Sequence, residues 1–189
     1  TEDSKADIRR TIKQTAKLQF HLVHENNEAL ARQYRQSPET FETPLGHVRK
    51  EMEVERDGDI ETEILFIKRR PTEVKGEDVR RAVATFGEFG TYSISLQFND
   101  NGAGAFARVT SDNVNRRLAI VLDGKVYSAP NITEPITGGQ AQITGSFTPE
   151  EAQRLAGVIS SGNLPVSIRI DSEFGTDPTL GREIGRAHV

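Results

Sequence analysis

The spacing of apolar and polar residues predicts a chain in which helices and strands alternate. Apolar residues that alternate with polar ones are typical of a half-buried strand, and apolar residues three or four apart are typical of a helix face. Strands are predicted over residues 18–23, 92–98, 118–122, 141–144 and 166–170. Helices are predicted over residues 4–16, 27–34, 76–86, 99–114 and 147–165.

Two Asp-Gly pairs predict tight turns between strands. Asp57-Gly58 divides the charged segment of residues 51–67, and Asp123-Gly124 divides the stretch LAIVLDGKVYSAP of residues 118–130. Asp-Gly suits a two-residue hairpin turn, which needs positive φ at both positions. Because hairpins require antiparallel pairing, the predicted fold class is α+β rather than a doubly wound parallel sheet.

The helix predicted at residues 147–165 carries start and stop signals. Thr148 and Glu151 form a capping box, Pro149 stands at the first helical position, and Gly162 suits the C-terminal end. This is the most completely marked helix in the sequence.

The amino-acid composition argues against several classes of protein. The chain has 189 residues, a formal net charge of −4 and a pI near 5.6, which argue against a nucleic-acid-binding surface. The absence of cysteine excludes disulfides, thiolate nucleophiles and cysteine-based zinc sites. The longest apolar runs, such as LAIVL and AGVI, are far shorter than a bilayer requires. Since the chain starts at Thr1 and Met52 is its only methionine, we expect it to be part of a longer protein.

Asp123 and Lys125 could form an acid/base pair, but the turn explains them better. Asp-Gly supplies the turn itself, and Lys125 begins the return strand.

The acid-rich hairpin of residues 51–67 could bind Ca²⁺, although its acids lack the spacing of a calcium-binding loop. The preferred interpretation is a solvated outer face whose charges discourage pairing with another strand edge. Its acids are Glu51, Glu53, Glu55, Asp57, Asp59, Glu61 and Glu63.

The sequence contains no recognisable catalytic or cofactor motif. The four histidines lack the spacing of metal ligands, and no nucleophile elbow, P-loop or dinucleotide-binding glycine motif is present. We therefore expect no catalytic residues, no metal and no cofactor.

The second half of the chain carries a more specific signal. The segments FNDNGAGAFARVTSDNV, LAIVLDGKVYSAP, EPITGG, GSFT and EEAQRLAGVISSGNLP occur in that order. They resemble the first large extracytoplasmic domain of the SecD family, which includes fused SecDF forms. GEDVRRAV and IKQTAKLQFHLV resemble it more loosely, and residues 23–70 match least. The signature positions of structural importance are Asp123, Gly124, Pro130, Pro135, Gly138 and Gly139.

The chain departs from the family pattern at a few loop positions. Family members often carry Val and Ile-Arg where this chain has Asn131, Ile132 and Thr133, and often Gly at Asn115. These differences change a loop surface without changing the expected fold.

The resemblance implies a ferredoxin-like base, incomplete here, with an inserted α+β head. The N-terminal part of the base would be residues 1–24, and the head would be residues 25–145, with a variable charged insertion at about 24–70. The chain would return to the base with a helix and a strand in residues 146–171, and residues 172–189 would lead into a transmembrane helix. Head and base would rotate about joints near residues 24–27 and 145–147.

The resemblance also implies a function in protein export. The chain would be a non-catalytic domain of a multi-pass membrane protein, and it would lie on the periplasmic, extracytoplasmic face of the bacterial inner membrane. Its partners would be emerging unfolded preprotein, the SecYEG translocon, SecF and possibly YajC, and no nucleic acid. The proton-motive force would drive this part of protein export.

Polypeptide-binding candidates are Tyr127, Ile132 and Ile136, because these apolar side chains stand among Gly and Pro outside a regular core pattern. An equally weighted alternative has Ile132 and Ile136 packed beneath the loop. Two rival functions are a hydrolase or carbohydrate-acting domain using paired acids such as Asp123 and Glu134, and a purely structural domain that docks a partner membrane protein.

Overall fold

The structure is a computed structural model that describes residues 17–87 and 90–161. The predicted helix over residues 4–16, the predicted strand over residues 166–170 and the predicted juxtamembrane segment 172–189 lie outside the described residues. The described elements are β1 (Leu18–Leu22), α1 (Asn27–Gln36), β2 (His47–Arg56), β3 (Asp59–Lys68), β4 (Val79–Phe86), β5 (Tyr92–Phe98), α2 (Asp100–Asp112), β6 (Leu118–Leu122), β7 (Lys125–Ser128), β8 (Gln140–Phe147) and α3 (Pro149–Ser161).

Strand β6 lies at the centre of the fold. It pairs antiparallel with β1 on one side and with β7 on the other. All five of its residues are buried, with Leu118, Ile120 and Leu122 in one core and Ala119 and Val121 in a second core on the opposite face. The run LAIVL is continuously apolar because both faces of this sheet are covered.

The larger core lies between the central sheet and the antiparallel sheet β4-β5-β8, together with α2 and α3. The rings of Phe20, Phe98 and Phe106 meet here, with centroids 5.0 to 6.1 Å apart. The Ser160 hydroxyl of α3 is 3.0 Å from both the backbone nitrogen and the carbonyl oxygen of Ala82 on β4. Helix α3 therefore satisfies backbone groups on an outer strand of that sheet.

The hairpin β2-β3 covers the opposite face of the central sheet, and α1 packs against β3. The buried side chain of Asn27 donates to the Ile64 carbonyl at 3.0 Å and accepts from the Phe66 N–H at 2.7 Å. The Arg117 guanidinium forms a two-point ion pair with the Glu63 carboxylate. These contacts fix the hairpin to its neighbours on both sides.

The helix predicted over residues 76–86 is wrong, because Val79–Phe86 is a strand that pairs with β5. A 3₁₀ turn covers Gly76–Asp78, and a bulge interrupts the pairing between Val79 and Arg81. Because of this extra residue, Val79 and Ala82 are both buried although they are three positions apart in the sequence, and a spacing of three is also typical of a helix face.

The other predicted elements within the described residues are confirmed, including both hairpins. Asp57 and Gly58 have φ of 53° and 87°, as the turn chemistry requires. In the capping box, the Thr148 N–H donates to the Glu151 carboxylate at 3.0 Å and the Glu151 N–H donates to the Thr148 hydroxyl at 3.2 Å. Gly162 lies outside the described residues.

The coarse fold class is also confirmed, since the described residues form a mixed α and β structure with antiparallel sheets. The ferredoxin-like base stays a prediction, as do the domain boundaries. Within the described residues, strand β1 and helix α3, both assigned to the base, share the larger core with the residues assigned to the head. No described helix has the length and apolar character needed to cross a bilayer.

We predict opposite effects for alanine at two glycines of α2. A Cβ on Gly102 would lie 2.6 Å from the Asp78 Cβ and 3.0 Å from the Asp78 carbonyl oxygen, whereas a Cβ on Gly104 would meet only the end of the Arg108 side chain at 3.8 Å. Gly102→Ala should reduce the free energy of unfolding by about 1–3 kcal/mol through overpacking. Gly104→Ala should raise it by up to about 1 kcal/mol. Urea unfolding would measure both, and equal effects would contradict the packing at Gly102.

We predict that stability falls as the solution becomes mildly acidic. Burial lowers the pKa of His24 below its ordinary value of 6.5, the neighbouring His47 lowers it further, Glu25 opposes the shift and Arg116 adds to it. The His24 and His47 ring centroids are 4.7 Å apart. With this lowered pKa, the unfolded chain binds a proton at His24 more readily than the folded chain does. The contribution of His24 to the free energy of unfolding is therefore fully present above pH 6.5, and it is lost as the pH falls from there through the folded pKa.

The measurement is the urea midpoint between pH 7.5 and pH 5.5. The midpoint should decrease toward pH 5.5, and the decrease should be smaller in His24→Gln. An identical slope in both proteins would show that His24 does not cause the effect.

Candidate functional site

Asp123 acts as a turn residue rather than as part of a catalytic pair. Asp123 and Gly124 have φ of 49° and 82°. The Asp123 carboxylate accepts from the Lys17 N–H at 2.8 Å, and the Asp123 N–H donates to the Lys17 carbonyl at 3.1 Å. The carboxylate therefore fastens the start of β1 to the β6-β7 turn.

The rival pair of Asp123 and Glu134 lies on chain segments that attach to opposite ends of β6. Asp123 follows the last residue of β6, whereas Asn131, three residues before Glu134, bridges Arg117 before the first residue of β6. The six steps from Arg117 to Asp123 span roughly 20 Å at about 3.3 Å per residue. Carboxylate pairs in glycosidases lie within about 10 Å of each other.

The segment between β7 and β8 is fastened to the core by its backbone. The Ile132 N–H donates to the Arg116 carbonyl at 2.8 Å, and the Asn115 N–H donates to the Ile132 carbonyl at 2.7 Å. The Ile136 N–H donates to the Thr110 hydroxyl at 2.9 Å. The segment is thus held by β6 and α2 rather than projecting freely.

Of the three predicted polypeptide-binding side chains, Ile132 is buried, and Tyr127 and Ile136 are half-buried. Ile132 is 4 % exposed and belongs to the larger core, and Ile136 is half-buried against that core. For Ile132, the structure shows the packed arrangement that the sequence had left as an alternative, so we remove it from the candidate surface. Its burial follows from the bridge between Arg117 and Asn131, which fixes the direction of the next side chain.

The signature residues of this segment have structural positions. Pro130 is exposed and its carbonyl accepts from the Leu118 N–H, while Pro135 and Gly138 are exposed. Gly139 has φ of 68°, and a Cβ there would lie 3.0 Å from the Ala103 Cβ. Asn115 has φ of 67°, a left-handed conformation that explains why glycine suits this position.

Tyr127, like Ile136, is partly exposed and stays a predicted binding residue. It is half-buried, and its ring stacks on that of Phe147 with centroids 5.8 Å apart. The Lys125 ammonium lies 5.3 Å from the centre of the Tyr127 ring and 3.6 Å from the Glu53 carboxylate. An aromatic platform with a cation and an acid beside it therefore forms at the start of β7.

A bulge in β8 brings Phe147 onto Tyr127. The β5 residues Tyr92 and Ser93 pair with Phe147 and Thr144, which leaves Gly145 and Ser146 without a pairing partner on β5. A Cβ on Gly145 would lie 3.2 Å from the Phe147 ring and 3.4 Å from the Tyr127 carbonyl oxygen. Glycine thus lets β8 pass close to β7 at this point.

A groove runs between the hairpin tip and these two strands. It consists of adjoining hollows of about 210 Å³ and 560 Å³ that share the Tyr127 side. We call it the Tyr127 groove, and it is lined by Glu53, Val54, Glu55, Asp57, Ile60, Glu63, Arg117, Lys125, Tyr127, Ser128, Gly145, Ser146, Phe147, Glu151, Arg154 and Leu155, among others. Ile60 at the hairpin tip is 74 % exposed.

Aromatic rings continue from the groove along one end of the sheet β4-β5-β8. Phe147 lies opposite Tyr92, and the Tyr92 ring centroid is 5.0 Å from that of Phe86, which is 67 % exposed. Sequence reasoning missed Phe86 because it lay on a predicted helix, and missed Phe147 because nothing in the sequence signals the bulge. The row formed by the exposed ring of Phe86 and the half-buried rings of Tyr92 and Phe147 appears only when the three strands are aligned.

The two predicted joints differ in their surroundings. The segment of residues 145–147 coincides with the β8 bulge. Near residues 24–27, the His24 N–H donates to the Phe66 carbonyl at 2.8 Å and Asn27 is bonded to β3, so rotation there would break contacts with the hairpin. Both joints stay predictions.

The described residues hold no group of three or more His, Cys, Asp or Glu side chains placed to bind a metal ion. The groove instead combines apolar rings, strand backbone and charged rims. These are the features by which proteins bind extended polypeptide.

Comparison with known proteins agrees with this architecture. A family model described as "SecDF, P1 head subdomain" matches residues 50–166. A solved structure, "Structure and function of a membrane component SecDF that enhances protein export", superposes with a TM-score of 0.56 at 33 % identity, covering 87 % of this chain and 71 % of that one.

Curated relatives give the same result. The chain is 46 % identical over 112 residues to the protein translocase subunit SecD of Acidaminococcus fermentans, covering 59 % of this chain and 27 % of the relative. It is 44 % identical over 119 residues to the protein translocase subunit SecDF of Thermus thermophilus, covering 63 % of this chain and 16 % of the relative. The chain thus spans less than a third of the length of these two relatives.

The fold and the matched residues define a mixed α and β head module of the kind found in SecD and SecDF translocase subunits. The chain belongs to the SecDF P1 head subdomain family.

We predict that Asp123 can be replaced by a residue that keeps the turn. Asp123→Asn should change the free energy of unfolding by less than about 0.5 kcal/mol, because asparagine tolerates positive φ and its carbonyl oxygen can accept from Lys17. Asp123→Ala should cost about 1–2 kcal/mol through the lost hydrogen bond and the strained φ. Chemical unfolding of both variants provides the measurement, and equal losses would argue against the turn role.

Proposed function

We propose that this chain is a non-catalytic module that contacts emerging, unfolded preprotein through the Tyr127 groove. It would do so on the extracytoplasmic side of the bacterial inner membrane, as part of a multi-pass SecD or SecDF subunit. There it assists export driven by the proton-motive force, next to SecYEG, SecF and YajC. The single observation that carries the proposal is the stacked, half-buried pair of Tyr127 and Phe147 in an open groove of a chain from this family.

The groove suits a client without fixed structure. An unfolded polypeptide presents apolar side chains and backbone groups, so its receptor needs an apolar platform and unpaired strand backbone. The ring pair supplies the platform, and the bulge at Gly145 and Ser146 supplies backbone outside the β5 ladder. Strands β7 and β8 are both at the edges of their sheets. Such contacts tolerate many sequences, which a general export component requires.

The relatives support a role in export for the whole subunit. They are named protein translocase subunits, and the SecDF of the solved structure is described as a membrane component that enhances protein export.

We predict that photo-crosslinkers at Tyr127 and Phe147 capture a translocating preprotein. The full-length subunit would carry the crosslinking residue at one position at a time, in membrane vesicles with an arrested export intermediate. Glu28, exposed on α1 and outside the groove, is the matched control. We expect several-fold more adduct with preprotein at the two groove positions than at Glu28.

The pattern of adducts decides between the candidate functions. Preprotein adducts at all three positions in equal amount, or at none, would contradict the assignment of the groove. Adducts at Tyr127 and Phe147 to another membrane protein instead of preprotein would identify a docking domain.

A further inference from the structure

We propose that the Tyr127 groove selects extended polypeptide segments in which lysine or arginine stands beside apolar or aromatic residues. This inference rests on the proposed function and adds the chemical class of segment that the groove takes. It follows from the placement of acids around the aromatic platform.

Acids outnumber bases along the groove. The acids are Glu53, Glu55, Asp57, Glu63 and Glu151, and the bases are Arg117, Lys125 and Arg154. A hollow whose lining carries a net charge of one sign concentrates ligands of the opposite sign. The groove therefore favours a cationic segment over an anionic one.

The charges of the hairpin are not equally available. Four of its acids form ion pairs, which are Glu51 with Arg49, Glu53 with Lys125, Glu61 with Arg56, and Glu63 with Arg117. Within the described residues, Glu55, Asp57 and Asp59 at the tip have no ion-pair partner. Glu55 and Asp57 line the larger hollow as carboxylates without an ion-pair partner, while Arg154, which lines the smaller hollow from α3, is a base without one among the described residues.

The chain itself shows how a cation fits this place. The Lys125 ammonium lies over the Tyr127 ring and 3.6 Å from the Glu53 carboxylate. A cation over an aromatic face gains about 0.5–2 kcal/mol, and its aliphatic stem covers apolar surface. A lysine or arginine of a bound segment can make the same contacts with Glu55 or Asp57 while its neighbours pack on Tyr127 and Phe147.

The test measures binding of fluorescent peptides to the full chain by anisotropy. Three unstructured peptides share one aromatic and aliphatic core and differ only in flanking residues, which are lysine, glutamine or glutamate. We expect the lysine-flanked peptide to bind about five- to tenfold more tightly than the glutamine-flanked peptide at low salt, and the glutamate-flanked peptide to bind most weakly.

Two double variants locate the preference. Glu55→Gln with Asp57→Asn removes the groove carboxylates and keeps a turn-compatible residue at position 57, whose φ is 53°. Glu28→Gln with Glu42→Gln removes two exposed acids outside the groove and changes the net charge equally. We expect the first variant to abolish the preference for lysine and the second to retain it.

A single lysine variant tests the role of Lys125. Lys125→Gln removes the internal cation from the platform, so the lysine-flanked peptide should bind about threefold more tightly. Lys68→Gln, with the same change of charge at the far end of β3, should have a smaller effect.

The outcomes separate this inference from the proposed function. Equal binding of all three peptides would overturn the cationic preference and leave polypeptide binding intact. A preference that survives Glu55→Gln with Asp57→Asn would place its source elsewhere and also overturn the inference. Failure of every peptide to bind would contradict the proposed function itself.

Discussion

The burial of β6 on both faces is the constraint on which the rest of the structure depends. Leu118, Ile120 and Leu122 need cover from α2, α3 and the sheet β4-β5-β8, while Ala119 and Val121 need cover from the hairpin β2-β3. Burial of each leucine or isoleucine side chain contributes about 1.5–3 kcal/mol to the free energy of unfolding. Exposure of either face of β6 would therefore destabilise the fold strongly. The position of the hairpin, and with it one wall of the groove, follows from this requirement.

The Tyr127 groove exists because two sheet edges meet under that hairpin. Strand β7 ends the central sheet and β8 ends the other sheet. Edges of this kind are normally protected, and the fold protects them here by close approach at Gly145 and by acids on the hairpin. The same features leave the half-buried rings of Tyr127 and Phe147 partly accessible beside the two strand edges.

Much of the fold could be predicted from local chemistry, but little of the site could. The two Asp-Gly turns and the capping box at Thr148 act through neighbouring residues, and all were confirmed. The helix assigned to residues 76–86 failed because a bulge changed the spacing of buried residues. For Ile132 the sequence left a surface position and a packed position open, and the packed position is observed because of the bridge between Arg117 and Asn131, which no local pattern reveals.

By itself, the sequence determined the α+β class, the hairpins and the order of family segments in its second half. Those properties depend on residues close together in the chain, whose φ values, caps and periodicity are local. The tertiary structure alone decided that Tyr127 meets Phe147, that Glu55 and Asp57 border their platform, and that Asp123 fastens β1. These contacts join residues far apart in sequence, so they depend on strand register and on one bulge in β8 that brings distant edges together.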